Sequence, residues 1–346
     1  MRHFCLLALA ALLAAGAENI TPRIGLIEIY GDHKVSENKI RAALAAKVGD
    51  LLPSRQDAEA RIDKVPGVLA SRVEAACCSG PGMILYVGVE ERDAPHVQYH
   101  DVPTGDVTLP ASLFDGYRKL LDNVEASIRG HNADQDLTNG YSLMADPDSR
   151  ELQLSFVPAV AENLALIDRV VRESADPEQR AAATYLMQYG PRGPRTNKII
   201  MNALQYALRD REDEVRQNAV RALHAVAVGG KLHPEQQIRI QPTWFVELMN
   251  SVVWTDRRDA TLALVNLTET HDPETLQLLR ERALPSVIEM ARWHDLQHAL
   301  PAFILAGRLA GLDEQQIKTA WLGEDRENVL KQALNNSKNR KKLGTD

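Results

Sequence analysis

His294 and His298 stand four residues apart in a segment of helical character, a spacing that puts two imidazoles on one face and can begin a metal site. The stretch reads His294-Asp295-Leu296-Gln297-His298, so the acid of a metalloprotease helix is missing, and metal sites need three or four ligands. The plainer reading is two half-exposed helix histidines, with no cofactor. Arg192 and Arg195, in Gly190-Pro191-Arg192-Gly193-Pro194-Arg195, could grip a phosphate or carboxylate between two guanidiniums. That run lacks the Lys and Ser/Thr of a phosphate loop, and Gly and Pro between helical stretches ordinarily end one helix and start the next.

Cys77 and Cys78 are neighbours. On a strand over about Ala70–Cys78, Val73, Ala75 and Cys77 fall on one face and Glu74, Ala76 and Cys78 on the other, which would leave Cys78 toward solvent. An exposed thiol in an exported protein can join two chains, so a Cys78-linked dimer is one expectation. A pair of small residues at a strand end is the plainer one. A bond between the two cysteines would be strained, since adjacent α-carbons lie about 3.80 Å apart and disulfides prefer roughly 4.4–6.8 Å. Val73, Glu74, Ala75, Cys78, Arg192 and Arg195 are the candidate partner contacts. No Gly-x-Ser-x-Gly elbow, Cys-x-x-Cys pair or dinucleotide fingerprint occurs, which leaves no candidate nucleophile and no catalytic residue.

The chain opens with Arg2 and His3, an apolar run Phe4–Ala15 and the small-residue pattern Ala15-Gly16-Ala17, the three parts of an export signal. Residues 1–17 are expected to be removed after Ala17, giving a soluble periplasmic or extracellular protein. The apolar run is 12 residues, short of the roughly 20 that span a membrane. The 346 residues suggest two or three domains, and the net charge of −7 argues against generic nucleic-acid binding. Lys338, Arg340, Lys341 and Lys342 make the segment 335–346 a basic, unstructured tail.

Two styles of sequence follow. Residues 22–93 read as mixed α and β. Strands are expected at Ile24–Tyr30, about Ala70–Cys78 and Met83–Glu91, with a first helix after Ser36 carrying Ile40, Leu44 and Val48 to a stop at Gly49, and a second around Ala58–Val65. In the third strand Met83, Leu85, Val87 and Val89 share a face. Residues 94–157 form a connector with a helix over about Ala111–Arg129, then a hairpin in which Tyr141–Met144 and Glu151–Phe156 flank Asp146-Pro147-Asp148. From about Glu162 to Leu334 the periodicity is helical, with Leu312–Leu334 as a capping pair. Segments beginning at Asp176, Asp213 and Asp256 share a template of acid, arginine and alanines, at intervals near the roughly 40–47 residues of two-helix repeats.

The order strand, helix, helix, strand, strand, with Gly25-Leu26-Ile27-Glu28-Ile29-Tyr30-Gly31, Ile40-Arg41-Ala42-Ala43-Leu44, Lys47-Val48-Gly49-Asp50, Val65-Pro66-Gly67-Val68 and Val87-Gly88-Val89-Glu90-Glu91, resembles the POTRA (polypeptide-transport-associated) domain of bacterial envelope proteins. That resemblance implies a three-stranded sheet backed by two helices that recruits partners by strand addition at an edge. A single copy without a barrel-forming segment departs from the usual setting. Asp213-Glu214-Val215-Arg216-Gln217-Asn218-Ala219-Val220-Arg221-Ala222-Leu223 resembles a HEAT repeat, over about Glu162–Gly311. It implies stacked units tied by Asp and Arg ladders. The fold class expected is therefore an α+β N-terminal domain followed by an all-α HEAT-like solenoid. Its expected role is an exported protein-interaction scaffold that binds a partner strand at the sheet edge and a partner surface on the solenoid. The alternatives are a hydrolase or metal-binding enzyme with its site in the solenoid groove, and a structural envelope spacer.

Overall fold

The computed structural model describes residues 22–79, 82–129, 134–323 and 325–343. The export signal expected at residues 1–17 lies outside them.

Strand β1 (Ile24–Tyr30) is followed by helices α1 (Glu37–Leu44) and α2 (Arg55–Ile62), then β2 (Val68–Ser79) and β3 (Gly82–Glu91). The sheet order is β1-β3-β2, with β1 parallel and β2 antiparallel to the central β3. Helix α1 ends earlier than its apolar spacing suggests. Ala45 takes a left-handed conformation at φ 53°, which stops the helix and leaves Val48 58% exposed instead of on the Ile40–Leu44 face. One face of the sheet, with Ile27, Val73, Leu85, Val87 and Val89, packs on Ile40, Leu44, Ala58 and Ile62 of α1 and α2. The other face, with Tyr30, Ala76, Ile84 and Tyr86, joins the main core of the helical stack. The sheet is therefore covered on both sides, which explains why β3 is buried almost throughout. The face bearing Glu74 and Ala76, expected from alternation to meet solvent, is the one that docks.

An extended strap, residues 92–110, leads to α3 (Ala111–Arg129), whose bounds match the amphipathic helix in the sequence. A small β4 (Gln135–Asp136) and β5 (Leu143–Met144) pair follows, and α4 then runs from Pro147 to Glu173. The expected second hairpin strand at Glu151–Phe156 is thus helical. Asp146 accepts from the Ser149 N–H and Pro147 sits in the first turn, so turn-forming residues here cap a helix. Phe156, Val160, Leu164 and Ile167 then bury one face of it.

The remaining helices are α5 (Pro177–Leu186), α6 (Pro194–Ala207), α7 (Asp213–Leu232), α8 (Thr243–Leu248), α9 (Trp254–Leu267), α10 (Pro273–Arg282), α11 (Leu284–Ala291), α12 (Leu296–Ala310), α13 (Glu314–Leu322) and α14 (Arg326–Leu343). Helices α5, α7, α9, α12 and α14 pack side by side as one layer, with α4, α6, α8 and α10 against it. This is a helical-repeat solenoid: each unit buries its apolar face against the next. Helix α14 continues through Leu343, so much of the basic segment expected to be unstructured is helical; Asn336 ties it down by donating to the Ala310 carbonyl.

Candidate functional site

Three arginines run through the stack as a ladder. Arg180, Arg216 and Arg257 are almost wholly buried near the starts of α5, α7 and α9. Each donates to carbonyls of the connection preceding its own helix: Arg180 to Ser174 and Ala175, Arg216 to Asp210 and Arg211, Arg257 to Ser251. Each also pairs with an acid further along, at 2.7 Å (Asp210), 2.8 Å (Asp256) and 2.6 Å (Glu289). Burial makes these pairs costly to break and fixes the stacking register.

The strap lies across the same ends of these helices and visits them in reverse order. Tyr99 reaches Ser251 and lies under the Arg216 guanidinium, 4.6 Å from ring centre to Cζ. The His100 N–H donates to the Arg209 carbonyl, and Arg209 and Arg211 donate to the carbonyls of Gln98 and His100. Gly105 exchanges backbone bonds with Glu173 and Ala175, and the Leu109 N–H donates to Gln179. A β-carbon at Gly105 would lie 2.6 Å from the Glu173 carbonyl oxygen, so only glycine permits this approach.

Carboxylates bind the sheet to the stack. Glu74 on β2 accepts from the Trp254 N–H at 2.6 Å and the Thr255 hydroxyl at 3.1 Å, which caps α9. Glu28 on β1 accepts from the N–H groups of His294 and Asp295 ahead of α12. In return, Glu289 of α11 accepts from the Gly31 N–H at 2.8 Å. Both strand acids thus meet the positive ends of helices. Burial pushes the Glu74 carboxyl above its usual range, against the lowering effect of those two bonds. Between them sits an aromatic cluster: Tyr86 stacks on Trp254 at 4.5 Å and tilts against Trp293 at 5.1 Å, while Tyr30 donates to the Val252 carbonyl.

The two histidines belong to this seam. Asp295 caps α12, so His294 lies in the connection before the helix and the helical face expected for the pair does not form. His294 sits 3.2 Å from Glu28, whereas His298 Nδ1 is 2.6 Å from the Tyr86 hydroxyl. Burial lowers the His298 pKa and raises that of Tyr86, so the neutral imidazole accepts and the phenol donates. Among the described residues no group of three or more His, Cys, Asp and Glu side chains is placed to hold a metal ion.

The other candidates are dispersed. Arg192 turns inward and donates from Nη2 to the carbonyls of Gly140 and Gln188, each at 2.6 Å; burial brings its pKa down to about 10. Arg195 is exposed on the first turn of α6, so the two guanidiniums do not converge on one ligand. Gly190–Gly193 ends one helical stretch ahead of α6, as its composition suggests. Val73 is buried and its N–H donates outward to Glu59 of α2 at 2.9 Å. By the alternation of an antiparallel ladder, the N–H and C=O of Ala75 also face away from β3, and Ala75 is exposed. Cys77 is exposed and disulfide-bonded; Cys5 and the side chain of Cys78 lie outside the described residues, and with them the expected Cys78-linked dimer.

Two hollows remain. A polar cleft of about 650 Å³ at the seam is lined by Glu28, Asp32, Glu289, Arg292 and His294, and in it burial and neighbouring acids push the Asp32 carboxyl up to about 6. An apolar groove of about 290 Å³ lies between α7 and α9, floored by Val220, Leu223, Phe245 and Leu262 and rimmed by Arg221, His224 and Arg258. Leu262 is 47% exposed there.

No protein-family model matches this chain, and no curated protein is similar to it. Among solved structures, an engineered protein is similar at 15% identity with a TM-score of 0.36, covering 65% of this chain and 97% of its own. A designed armadillo repeat protein is similar at 18% identity and a TM-score of 0.36, covering 65% and 99%. Another, in complex with the peptide (KR)4, is similar at 16% identity with the same TM-score and coverage. At that level the likeness carries no weight, and the helical stack stands on its own packing. No described helix is long and apolar enough to cross a membrane.

Sequence reasoning missed the docking of the sheet and the groove. The first had a signal: Ile84 and Tyr86 alternate with Leu85 and Val87, so β3 is apolar on both faces. The groove had a weaker one, Leu262 following Arg258 by four residues, which reads equally as a core position.

Proposed function

We propose that this chain is a non-catalytic, exported scaffold that binds protein partners. The observation that carries the reading is the groove between α7 and α9, an apolar surface with a half-exposed leucine that none of the chain's other described elements fills. A second contact is the outer edge of β2 at Ala75, where strand addition of the kind the POTRA resemblance implies has free backbone groups to meet. At Val73 that edge is already taken by Glu59. Export rests on the sequence of residues 1–17 alone. Glu74, one of the candidate partner contacts, serves the intramolecular seam instead.

Cross-linking pull-down of the tagged full chain from its native host, with Leu262→Asp and Ala75→Pro variants beside it, tests the reading. Proline at Ala75 removes an outward N–H without breaking a ladder bond. A partner lost in the first variant assigns recruitment to the groove, and one lost in the second assigns it to the edge. A partner retained by both, or no specific partner at all, contradicts the proposal.

A further inference from the structure

The chain already shows how a helix docks on the layer that forms the groove. Helix α3 lies over α4 and α5, burying Leu113, Tyr117 and Leu120. Tyr117 marks where this cover reaches the next helix: its hydroxyl donates to Glu214 at 2.9 Å and accepts from Asn218 at 2.9 Å, both on α7. One step further along the layer, α7 and α9 present the groove with nothing over Leu262 among the described residues. Its volume of about 290 Å³ lies at the small end of the roughly 300–1,000 Å³ of small-molecule sites, a size that also accepts side chains inserted by a partner.

The charges on the rim are asymmetric. Arg258 is tied to Asp259 at 2.6 Å, so that pair is internally balanced. Arg221 is exposed, and its contact to the neutral Asn218 at 3.4 Å is long; among the described residues it has no ion pair. His224 stands beside it on the next turn, also exposed. An apolar floor with a cationic rim complements a helix whose apolar face carries acids along one flank.

We infer that the α7–α9 groove receives an amphipathic helix of a protein partner, with apolar residues against Leu262 and Phe245 and a carboxylate against Arg221. This rests on the scaffold reading and adds the chemistry of the partner. A random peptide library displayed on phage, panned against the full chain, is the probe. The expected consensus has apolar residues at i, i+3 or i+4, and i+7, with flanking Asp or Glu. Synthetic peptides from it should bind Leu262→Asp about tenfold more weakly or worse, the loss of a central contact. Arg221→Glu, a change at an exposed side chain, should reverse the preference between a peptide and its Glu→Lys counterpart. Peptides that bind but ignore Leu262→Asp, or that carry a basic consensus, overturn this inference and leave the scaffold reading standing. A library that yields no binder to the full chain, while the pull-down still recovers a partner, likewise overturns the helical-segment inference alone; failure of both removes the scaffold as well.

Discussion

Asp32 and Arg216 carry the clearest consequences at the residue scale. The Asp32 carboxyl titrates at about 6 in the fold against an ordinary value of 3.8, because burial and the nearby Glu289, Glu37 and Glu91 all disfavour its charge. Its folded pKa is raised, so its contribution to stability is fully present below about 3.8 and is lost as pH rises through about 6. Asp32→Asn should therefore match the parent in acid and melt higher than it above about 6, which thermal unfolding across that interval checks. Equal differences at every pH would place Asp32 in solvent. Arg216 is a different case, because its side chain and that of Asp256 are 1% and 2% exposed. Arg216→Met leaves a buried acid without its partner and should cost about 3–5 kcal/mol in denaturant unfolding. Adding Asp256→Asn should recover part of that loss, since the stranded charge is then gone.

At the scale of elements, the seam depends on close approach. A β-carbon on Gly88 of β3 would sit 2.0 Å from the Val252 carbonyl oxygen and 2.6 Å from the Tyr30 hydroxyl. Gly88→Ala should push the sheet off the start of α9, unstack Tyr86 from Trp254 and redden the tryptophan emission. Glu74→Gln should act more mildly in thermal unfolding, because the α9 cap keeps an acceptor and the charge it loses is one that burial already disfavours. The elements themselves were largely readable from the sequence, since Ile24–Tyr30 and Ala111–Arg129 have strong local patterns and match the structure's bounds. The segment around Asp146-Pro147 was misread because the same residues initiate turns and cap helices, and only the later Phe156–Ile167 spacing separates the two. The third template does not begin at Asp256: α9 starts at Trp254, Arg257 holds the ladder position, and Asp256 is the acceptor for Arg216. The candidate site was hardly readable: Glu74 and Trp254 are 180 residues apart, as are other cross-seam pairs at similar or greater separation, and no local pattern reports such a meeting.

For the whole molecule, the carboxylate caps, the aromatic cluster and the strap make the sheet and the solenoid one body. The sheet face that alternation assigns to solvent is covered, so the proposed partner binding would use the groove and the remaining edge of β2. Removing the sheet would uncover Trp254 and Trp293, each now 4% exposed, and the shortened stack should aggregate where the full chain does not. Native-state hydrogen exchange is the most direct test of this unity. The amides of Gly31, Trp254 and His294 donate to carboxylates across the seam, and they should exchange only through an opening as costly as global unfolding. Exchange of these three through a cheaper opening, with the β1–β3 and α5–α7 amides still protected, would show the sheet undocking as a separate unit and would contradict the account.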